Sequence, residues 1–270
     1  MLKFPSGMRV ATLRERQRFY SSDFDVKRLA SWIGDRSRCM KFAMIMGRHT
    51  GLVAEGRSRN KNDVIVIDDW RTTRDLRDYA LDYLPESMYY DRNRYVDITE
   101  CAKCGKRKRS CAGCYNYSGQ QLAFDLDPEN VDCPYHGHIG EKVQSGRGLS
   151  FCMYEFKVVR SQAAKLSDLL AEEFEDVSVV YSGRGFHVVV DDESAYGLGR
   201  GDRAALAKRY GRRFAIDEWV TEGSSRLMRL PYSLNALVSR KCKVMKDGRD
   251  LIGLDPRSEP TVIPRFFGSP

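Results

Sequence analysis

This sequence of 270 residues contains no apolar run that approaches the length needed to cross a bilayer. Its amino terminus also lacks the uninterrupted apolar segment behind basic residues that a secretory signal requires. These two absences predict a soluble protein of the cytoplasm that makes no membrane contact. Eight cysteines are too few for a disulfide scaffold in a chain of this size.

The composition indicates a folded chain with an excess of basic residues. Hydrophobic residues make up 42% of the sequence, which is enough to bury a core, and the length suits a single domain over residues 1–270. Lys and Arg number 45 against 37 Asp and Glu, which gives a net charge of +8. This excess favours a polyanionic partner such as nucleic acid.

The spacing of apolar residues predicts helices mixed with strands. We expect helices over Val26–Ile33, 72–84, 166–174 and 203–210. We expect strands at 122–127, Val177–Tyr181, Phe186–Val190 and 214–217, and a buried strand at Val64–Ile67. This order predicts an α+β or mixed α/β domain.

The strand at 122–127 carries two acidic residues near its end. Side chains two residues apart on a strand point the same way, so Asp125 and Asp127 share one face and the apolar residues share the other. Hard cations such as Mg²⁺ prefer carboxylate oxygens, and a pair of them can activate a hydroxyl and stabilise a leaving pyrophosphate. The alternative is a pair of solvated acids that caps a turn before Pro128.

A glycine turn joins two apolar strands about sixty residues later, in the sequence Ser182-Gly183-Arg184-Gly185. Its glycines would let backbone amides approach a phosphate closely, while Ser182 offers a hydroxyl and Arg184 a forked cation. His187 follows at the start of the second strand. The alternative is a tight hairpin with an exposed arginine and a structural histidine.

Two further features lie towards the carboxyl terminus. Asp217 ends an apolar run and is a third candidate metal ligand. The segment 224–235 alternates basic and apolar residues, which predicts a strand whose arginines, including Arg229, face water and bind phosphates. The alternative is an ordinary solvated sheet face.

Four cysteines form two pairs with the spacing of a zinc knuckle. We predict tetrahedral zinc bound within an insertion at residues 100–118, with free thiols as the alternative. The four ligands are Cys101, Cys104, Cys111 and Cys114.

The sequence also offers a second, irregular zinc site, whose residues are loosely spaced. In the alternative interpretation, Cys152 is a core residue beside Phe151. The four candidate ligands are Cys133, His136, His138 and Cys152.

The order of these motifs resembles the archaeo-eukaryotic primase superfamily, specifically the small catalytic subunit of DNA primase. The acidic pair precedes Ser-Gly-Arg-Gly-Phe-His, a lone Asp and then Arg-Leu-Met-Arg-Leu-Pro-Tyr-Ser-Leu, as in that family. Residues 18–24 and 85–90 extend the resemblance to most of the chain. The resemblance implies a primase catalytic core with an RRM-like sheet that carries the acidic site.

The resemblance also implies a role for each motif. Asp125, Asp127 and Asp217 would be catalytic carboxylates that hold two Mg²⁺ or Mn²⁺ ions. The incoming nucleotide would be bound by Ser182, Arg184, His187, Arg229 and Asn235.

Two departures from the family pattern stand out. Asn235 occupies the place where many relatives have a second histidine, and Asn can form hydrogen bonds but cannot carry a charge. The cysteine quartet precedes the acidic pair, whereas typical small primase subunits carry their zinc ligands after it.

The implied activity is that of a DNA primase, a template-directed nucleotidyltransferase. It would act as a DNA-directed RNA polymerase that joins NTPs into short RNA primers on single-stranded DNA, with dNTPs and DNA primers as an open alternative. A large primase subunit is the expected partner, in a primosome that acts in DNA replication at the nucleoid.

Other functions stay open at this point. One alternative is a primer-extending repair or plasmid polymerase of the same superfamily. Another is a zinc-dependent module that binds nucleic acid without catalysis. An inactive scaffolding subunit is disfavoured by the presence of all three acids and His187.

Overall fold

The computed structural model describes residues 2–57, 60, 62–103, 114–246 and 248–267. Its amino-terminal part contains α1 (Leu13–Ser22), α2 (Val26–Ile33), a 3₁₀ helix (Gly34–Arg38), β1 (Phe42–Ile45), β2 (Val64–Ile67), α3 (Thr73–Tyr83), β3 (Ser87–Asp91), β4 (Asn93–Tyr95) and α4 (Ile98–Lys103). The middle part contains β5 (Tyr117–Gln120), β6 (Leu122–Leu126), a 3₁₀ helix (Pro128–Asn130), α5 (Ile139–Gln144), α6 (Met153–Ala171), β7 (Val177–Tyr181), β8 (Phe186–Val190) and α7 (Glu193–Tyr196). The last part contains α8 (Arg200–Gly211), α9 (Glu218–Thr221), β9 (Leu227–Arg229), β10 (Leu234–Asn235), β11 (Arg240–Lys241), β12 (Lys243–Val244), α10 (Gly248–Gly253) and a 3₁₀ helix (Arg265–Phe267).

Antiparallel pairing organises the strands into two larger sheets. The first sheet has the order β2-β1-β3-β9, and the second has the order β12-β7-β8-β6. Two short ribbons, β4-β5 and β10-β11, complete the strand pairing among the described residues. The prediction of a mixed α and β chain is therefore confirmed.

The second sheet lies between two hydrophobic cores. On one face, Leu122, Phe124 and Leu126 are fully buried in a core that includes residues of α6. On the other face, Ala123 and Val189 belong to a different core, which also contains residues of the first sheet. The three apolar residues share one buried face as predicted, but Ala123 on the opposite face is buried as well, so the acidic strand is packed on both faces.

One face of the first sheet packs in a hydrophobic core, and the opposite face points towards the sheet that carries the acidic strand. Phe42 and Tyr90, which are paired in register, belong to a core that includes residues of α1, α2 and α3. Because side chains alternate along a strand, Tyr89 and its partner Arg229 lie on the opposite face. This second face turns towards the sheet that carries the acids.

The helices predicted at Val26–Ile33, 72–84 and 203–210 are confirmed, whereas the segment 166–174 overlaps only the end of a longer helix, α6, which begins at Met153 and ends at Ala171. In α2, Asp25 caps the amino terminus by accepting the Arg28 N–H at 3.0 Å. The helix α3 begins with a Thr72–Asp75 capping box and ends at Leu84, which adopts a left-handed conformation just before Pro85. None of the helices in the described ranges is long and apolar enough to cross a membrane.

Three strand predictions differ from the structure. The strand β2 is an edge strand and is not buried, since Val66 is 50% exposed. The segment 214–217 forms a single bridge between Ile216 and Leu126 instead of a full strand. The segment 224–235 breaks into β9 and β10, because Pro231 has no N–H to donate and Tyr232 turns the chain with a φ of 66°.

Candidate active site

Strand pairing brings the three predicted acids together. In the register of β6 and β8, Asp125 stands directly opposite His187, and the His187 Nε2 lies 3.6 Å from the Asp125 Oδ1. Asp127 follows the strand and precedes the 3₁₀ turn at Pro128. The backbone N–H of Asp217 donates to the Asp125 carbonyl at 2.8 Å, which fixes the third acid beside the first.

The glycines of the hairpin let its backbone pack closely against neighbouring segments. A Cβ on Gly185 would lie 2.2 Å from the Leu126 carbonyl oxygen, so only glycine lets the turn approach the acidic strand. Gly183 has a φ of +95°, and a Cβ there would lie 2.5 Å from the Cβ of Asn235. The Gly185 N–H is already used, because it donates to the Ser182 Oγ at 3.1 Å.

Arg184 is held inside the site instead of being exposed. Its guanidinium contacts the Glu129 carboxylate and lies 3.4 Å from the Asp127 Oδ2. Burial opposes the charge of Arg184, yet these carboxylates together raise its pKa. Arg184 therefore stays charged and offsets part of the negative charge around it.

The first sheet contributes the opposite wall of the site. Arg229 donates to the Ser87 hydroxyl and to the Tyr89 hydroxyl, the latter at 3.1 Å, and its guanidinium lies 4.9 Å from the centre of the Tyr89 ring. Asn235 donates from its Nδ2 to the Ser182 carbonyl at 3.0 Å. The predicted nucleotide-binding residues are thus brought together from both sheets.

A cavity of about 170 Å³ separates the two walls. Within the part of the chain that the structure describes, four buried polar atoms of its lining have no hydrogen-bond partner. They are the Asp125 Oδ1, the Glu129 Oε2, the His187 Nδ1 and the Asn235 Oδ1. Buried polar atoms without partners are costly, and four around one cavity indicate a site built for a polar ligand.

The electrostatics of the cavity suit a divalent cation. Burial, and then the charges of Asp127, Asp217 and Glu129, raise the pKa of Asp125 well above its ordinary value. Burial also lowers the pKa of His187 to about 3, so its imidazole is neutral at neutral pH. Carboxylates that repel one another in a shared site are relieved when a cation binds between them. The donor set therefore fits Mg²⁺ or Mn²⁺.

Three of the four residues predicted for the irregular zinc site lie close together in the structure. The Cys133 Sγ lies 3.4 Å from the His136 Nδ1 and 3.9 Å from the Cys152 Sγ. Tetrahedral zinc, with bonds of about 2.3 Å to sulfur and about 2.0 Å to nitrogen, would separate these atoms by about 3.5 and 3.8 Å. The donor atoms are therefore spaced as zinc requires.

His138 does not join this cluster, which corrects the predicted set. Its Nδ1 accepts the Gly140 N–H at 3.0 Å at the start of α5, and its side chain is 60% exposed. Glu155 lies beside the other three residues, since its donor atom and those of Cys133, His136 and Cys152 all lie within 4.8 Å of one another, and its carboxylate also pairs with the Lys142 Nζ at 2.6 Å. Glu155 and Cys152 meet because α6 begins between them.

The predicted zinc knuckle falls partly outside the described residues, since Cys104 and Cys111 lie there. Cys101 is half-buried on α4, where its Sγ accepts the Asn116 Nδ2 at 3.0 Å, and Cys114 is exposed. Zinc binding by this quartet stays a prediction.

Comparisons with known proteins now bear on the site. No family model matches the chain. An uncharacterized DNA primase small subunit-like protein of Archaeoglobus fulgidus is 48% identical over 266 residues, which are 98% of this chain and 94% of that relative. The chain belongs to the DNA primase small-subunit family.

Other relatives in the primase small-subunit family are more distant. DNA primase small subunit PriS of Thermococcus onnurineus is 30% identical over 192 residues, and that of Pyrococcus furiosus is 29% identical over 193 residues. These matches cover 70% and 71% of this chain but 46% of each PriS protein. Among solved structures, a polymerase domain of Ligase D from Mycobacterium tuberculosis in complex with DNA covers 90% of this chain and 85% of its own, with 14% identity and a TM-score of 0.48.

Three residues of this primase-family site were missed in the sequence. Glu129 continues the spacing of Asp125 and Asp127, but Pro128 suggested that the pattern had ended. His49 and Glu86 lie 37 residues apart, and their contact of 2.9 Å has no local signal in the sequence. Only the pairing of β1 with β3 brings them together.

The crowding of carboxylates predicts a stabilising effect of Asp125→Asn in metal-free protein. The folded-state pKa of Asp125 is raised, so ionisation of this carboxyl group disfavours the folded state. The folded protein is therefore not penalised below about pH 4, where Asp125 is protonated, and it loses stability as the pH rises. At pH 7 we expect the free energy of unfolding of the variant to exceed that of the wild type by at least about 1 kcal/mol. Thermal unfolding in EDTA from about pH 4 to pH 8 measures this, and the difference should grow with pH.

The matched measurement adds Mn²⁺. The wild type should gain thermal stability and Asp125→Asn should gain much less, because the variant lacks one carboxylate ligand. A variant that is less stable than the wild type at pH 7 in EDTA would contradict the claim that the carboxylates around Asp125 repel one another in the metal-free protein.

Proposed function

We propose that this protein is a template-directed nucleotidyltransferase that synthesises short RNA primers on single-stranded DNA, with DNA primers as the alternative product. The observation that carries the proposal is the pair Asp125 and Asp127 in the lining of a cavity with four unsatisfied polar atoms, with Asp217 held next to Asp125 by a backbone hydrogen bond. Membership of the DNA primase small-subunit family supports it. The chain would then form the primase core with an RRM-like sheet that the sequence motifs imply.

The three carboxylates would hold two Mg²⁺ or Mn²⁺ ions. When bound, such ions activate a primer hydroxyl and neutralise charge on the transferring phosphate. His187 is neutral and faces Asp125, so it leaves the negative charge of the carboxylates available to cations. Arg184 limits the total charge of the cluster through its contacts with Glu129 and Asp127.

The incoming nucleotide would lie between the two sheets. Arg229 is aimed by Ser87 and Tyr89 and offers its remaining donors to phosphate oxygens. Asn235 has a free Oδ1 that can accept a hydrogen bond from a ribose hydroxyl or a base. Ser182 positions Asn235, because its carbonyl accepts the hydrogen bond from the Asn235 Nδ2, and its hydroxyl closes the hairpin.

A larger cleft of about 640 Å³ is the proposed path of the template strand. Three arginines and one glutamate are its charged lining residues in the described ranges: Arg200, Arg203, Arg226 and Glu222. It adjoins the cavity through β9, because Arg226 lines the cleft while Leu227 and Arg229 line the cavity. Arg200 is the exposed one of these arginines, since Arg203 is buried and donates to four backbone carbonyls and Arg226 pairs with Asp91. Arg200 would therefore contact the phosphate backbone that leads to the reaction centre.

The remaining proposals follow from the family. We propose zinc at the Cys133, His136, Cys152 and Glu155 cluster and at the predicted cysteine quartet. We also propose a large primase subunit as partner and action in the cytoplasm, at the nucleoid. These proposals draw on the PriS relatives, of which this chain spans less than half the length.

Purified protein with Mn²⁺, labelled nucleotides and a single-stranded template should make short products. Asp125→Ala should abolish synthesis, because it removes a metal ligand, while Asp78→Ala, which changes an exposed residue of α3, should keep wild-type activity. Full activity of Asp125→Ala would contradict the catalytic assignment. Extension of primers without synthesis on an unprimed circle would favour a repair or plasmid polymerase, and DNA binding without synthesis would favour a binding module.

Charge reversal tests the path of the template. Arg200→Glu should weaken binding of single-stranded DNA and lower the slope of log affinity against log salt by about 0.7, since it removes a phosphate contact. The helix should tolerate an acid at its first turn. Fluorescence anisotropy at several salt concentrations measures the slope. Arg14→Glu, exposed on α1 and outside both cavities, is the matched control, and an equal effect of both variants would count against the cleft.

Metal analysis tests the corrected zinc cluster. Cys133→Ser should lose one equivalent of zinc, because it removes one of four donors. His138→Gln should keep the zinc content of the wild type, because His138 lies outside the cluster. Elemental analysis of the purified variants measures both, and the opposite pattern would restore His138 as a ligand.

A further inference from the structure

A tryptophan is exposed on the short helix that follows the third acid of the site. Trp219 lies on α9, two residues after Asp217, and it is 71% exposed. The next two residues of the helix, Val220 and Thr221, are buried. These two side chains therefore anchor α9, while the indole ring of Trp219 lies in solvent and contacts little of the protein.

Hydrogen bonds place the backbone of Trp219 between the acidic site and the larger cleft. Its N–H donates to the Asp217 Oδ1 at 3.0 Å, and the Asp217 N–H donates to the Asp125 carbonyl at 2.8 Å. On the other side, the Trp219 carbonyl accepts the N–H of Ser224 at 3.1 Å, and Ser224 lines the larger cleft. One hydrogen bond thus joins Trp219 to a candidate metal ligand, and another joins it to the wall of the cleft.

A buried arginine fixes this segment from below. Arg92 is 2% exposed and donates to the Val220 carbonyl at 2.5 Å and to the Ser225 carbonyl. The Ser225 N–H also donates to the Trp219 carbonyl, at 3.2 Å. The backbone that carries the indole is therefore fixed before a ligand binds, which lowers the entropic cost of binding against it.

The charges around the indole favour a nucleobase over a phosphate. Glu218 precedes Trp219, and Glu222 follows it by three residues, which places Glu222 on the same side of the helix. These carboxylates repel phosphates, whereas Arg200, which lines the same cleft as Glu222, attracts them. A single strand whose phosphates contact Arg200 would therefore turn a base towards Trp219.

We propose that Trp219 stacks on an unpaired base of the single-stranded DNA template where the strand passes from the larger cleft to the acidic site. The inference rests on the proposed function. An indole offers a flat apolar surface on which every base can stack, so this contact requires no particular base sequence. The stack would fix the template next to Asp217, while Arg200 would contact its backbone.

Variants of Trp219 test the contact from the side of the protein. Trp219→Ala should weaken binding of a labelled oligothymidylate about tenfold, within the range for the loss of one stacked base. The slope of log affinity against log salt should stay unchanged, because no phosphate contact is lost, in contrast to Arg200→Glu. Trp219→Phe should keep most of the affinity, and Trp219→Leu, which is apolar but not aromatic, should lose most of it. Fluorescence anisotropy measures each affinity, and thermal unfolding checks that each variant folds.

The matched control removes another exposed apolar side chain. Ile252 is 62% exposed on α10 and lies outside both cavities. Ile252→Ala should bind the oligonucleotide as the wild type does.

Strands that lack a single base test the contact from the side of the DNA. An abasic residue keeps the phosphate and removes the stacking partner. On a primed template, an abasic residue at one template position should weaken wild-type binding about as much as Trp219→Ala does. At that position the variant should lose nothing further, because the two changes remove the same contact. An abasic residue at the primer end should not show this coupling.

The fluorescence of the protein itself reports the stack. Wild-type tryptophan fluorescence should change when DNA binds, and Trp219→Phe should lose this change. The other two tryptophans respond little, because Trp70 is 6% exposed and Trp32 packs against Tyr90.

The outcomes are distinct for the two proposals. If Trp219→Ala binds within twofold of the wild type, or lowers the salt slope as Arg200→Glu does, the stacking role is wrong, and coupling to the primer end instead would overturn the template assignment. A wild type that tolerates every abasic template position with unchanged fluorescence would overturn the inference even if the variants did not fold. A wild type that shows the stack but makes no product would overturn the proposed synthesis and support the stacking role. A wild type that binds no single-stranded DNA would overturn both.

Discussion

The antiparallel register between β6 and β8 is the constraint on which the site depends. It sets Asp125 opposite His187 while Leu122, Phe124 and Leu126 fill the core on the other face. A shift by one residue would turn the acid into that core and bring apolar side chains to the cavity. The close approach of the hairpin, which only a glycine at position 185 allows, favours this one register. Packing and catalytic geometry are therefore decided by the same hydrogen bonds.

Charged side chains from both sheets line the site. The second sheet carries Asp125 and the hairpin with Arg184 on one side of the cavity. On the opposite side, β3 and Glu86, the residue before it, position side chains that also line the cavity. Glu86 orients His49, and Ser87 and Tyr89 orient Arg229. A metal-bound triphosphate has its cations at one side and its phosphate oxygens at the other. In the proposed function, Asp125 and Asp127 would face the cations and Arg229 would face the phosphate oxygens.

The strands at the centre of the site could be predicted because their signal is local. Alternation of apolar and acidic residues is enough to place Asp125, and a glycine turn between two apolar runs is enough to place His187. The contacts of Glu86 with His49 and of Arg184 with Glu129 depend on residues that are 37 and 55 positions apart. Spacing alone also could not choose between His138 and Glu155, because that choice depends on where α6 begins.

The segment that joins β4 to β5 has its two ends held close together. Strands β4 and β5 pair on either side of it, and the Val96 N–H donates to the Asn116 carbonyl at 3.0 Å. Since the ends are already held together, doubling the length of the segment would cost only about 0.6 kcal/mol of closure entropy. Evolution can therefore exchange, lengthen or remove this module without moving β6. The ribbon is a natural place to graft a foreign domain onto the catalytic core.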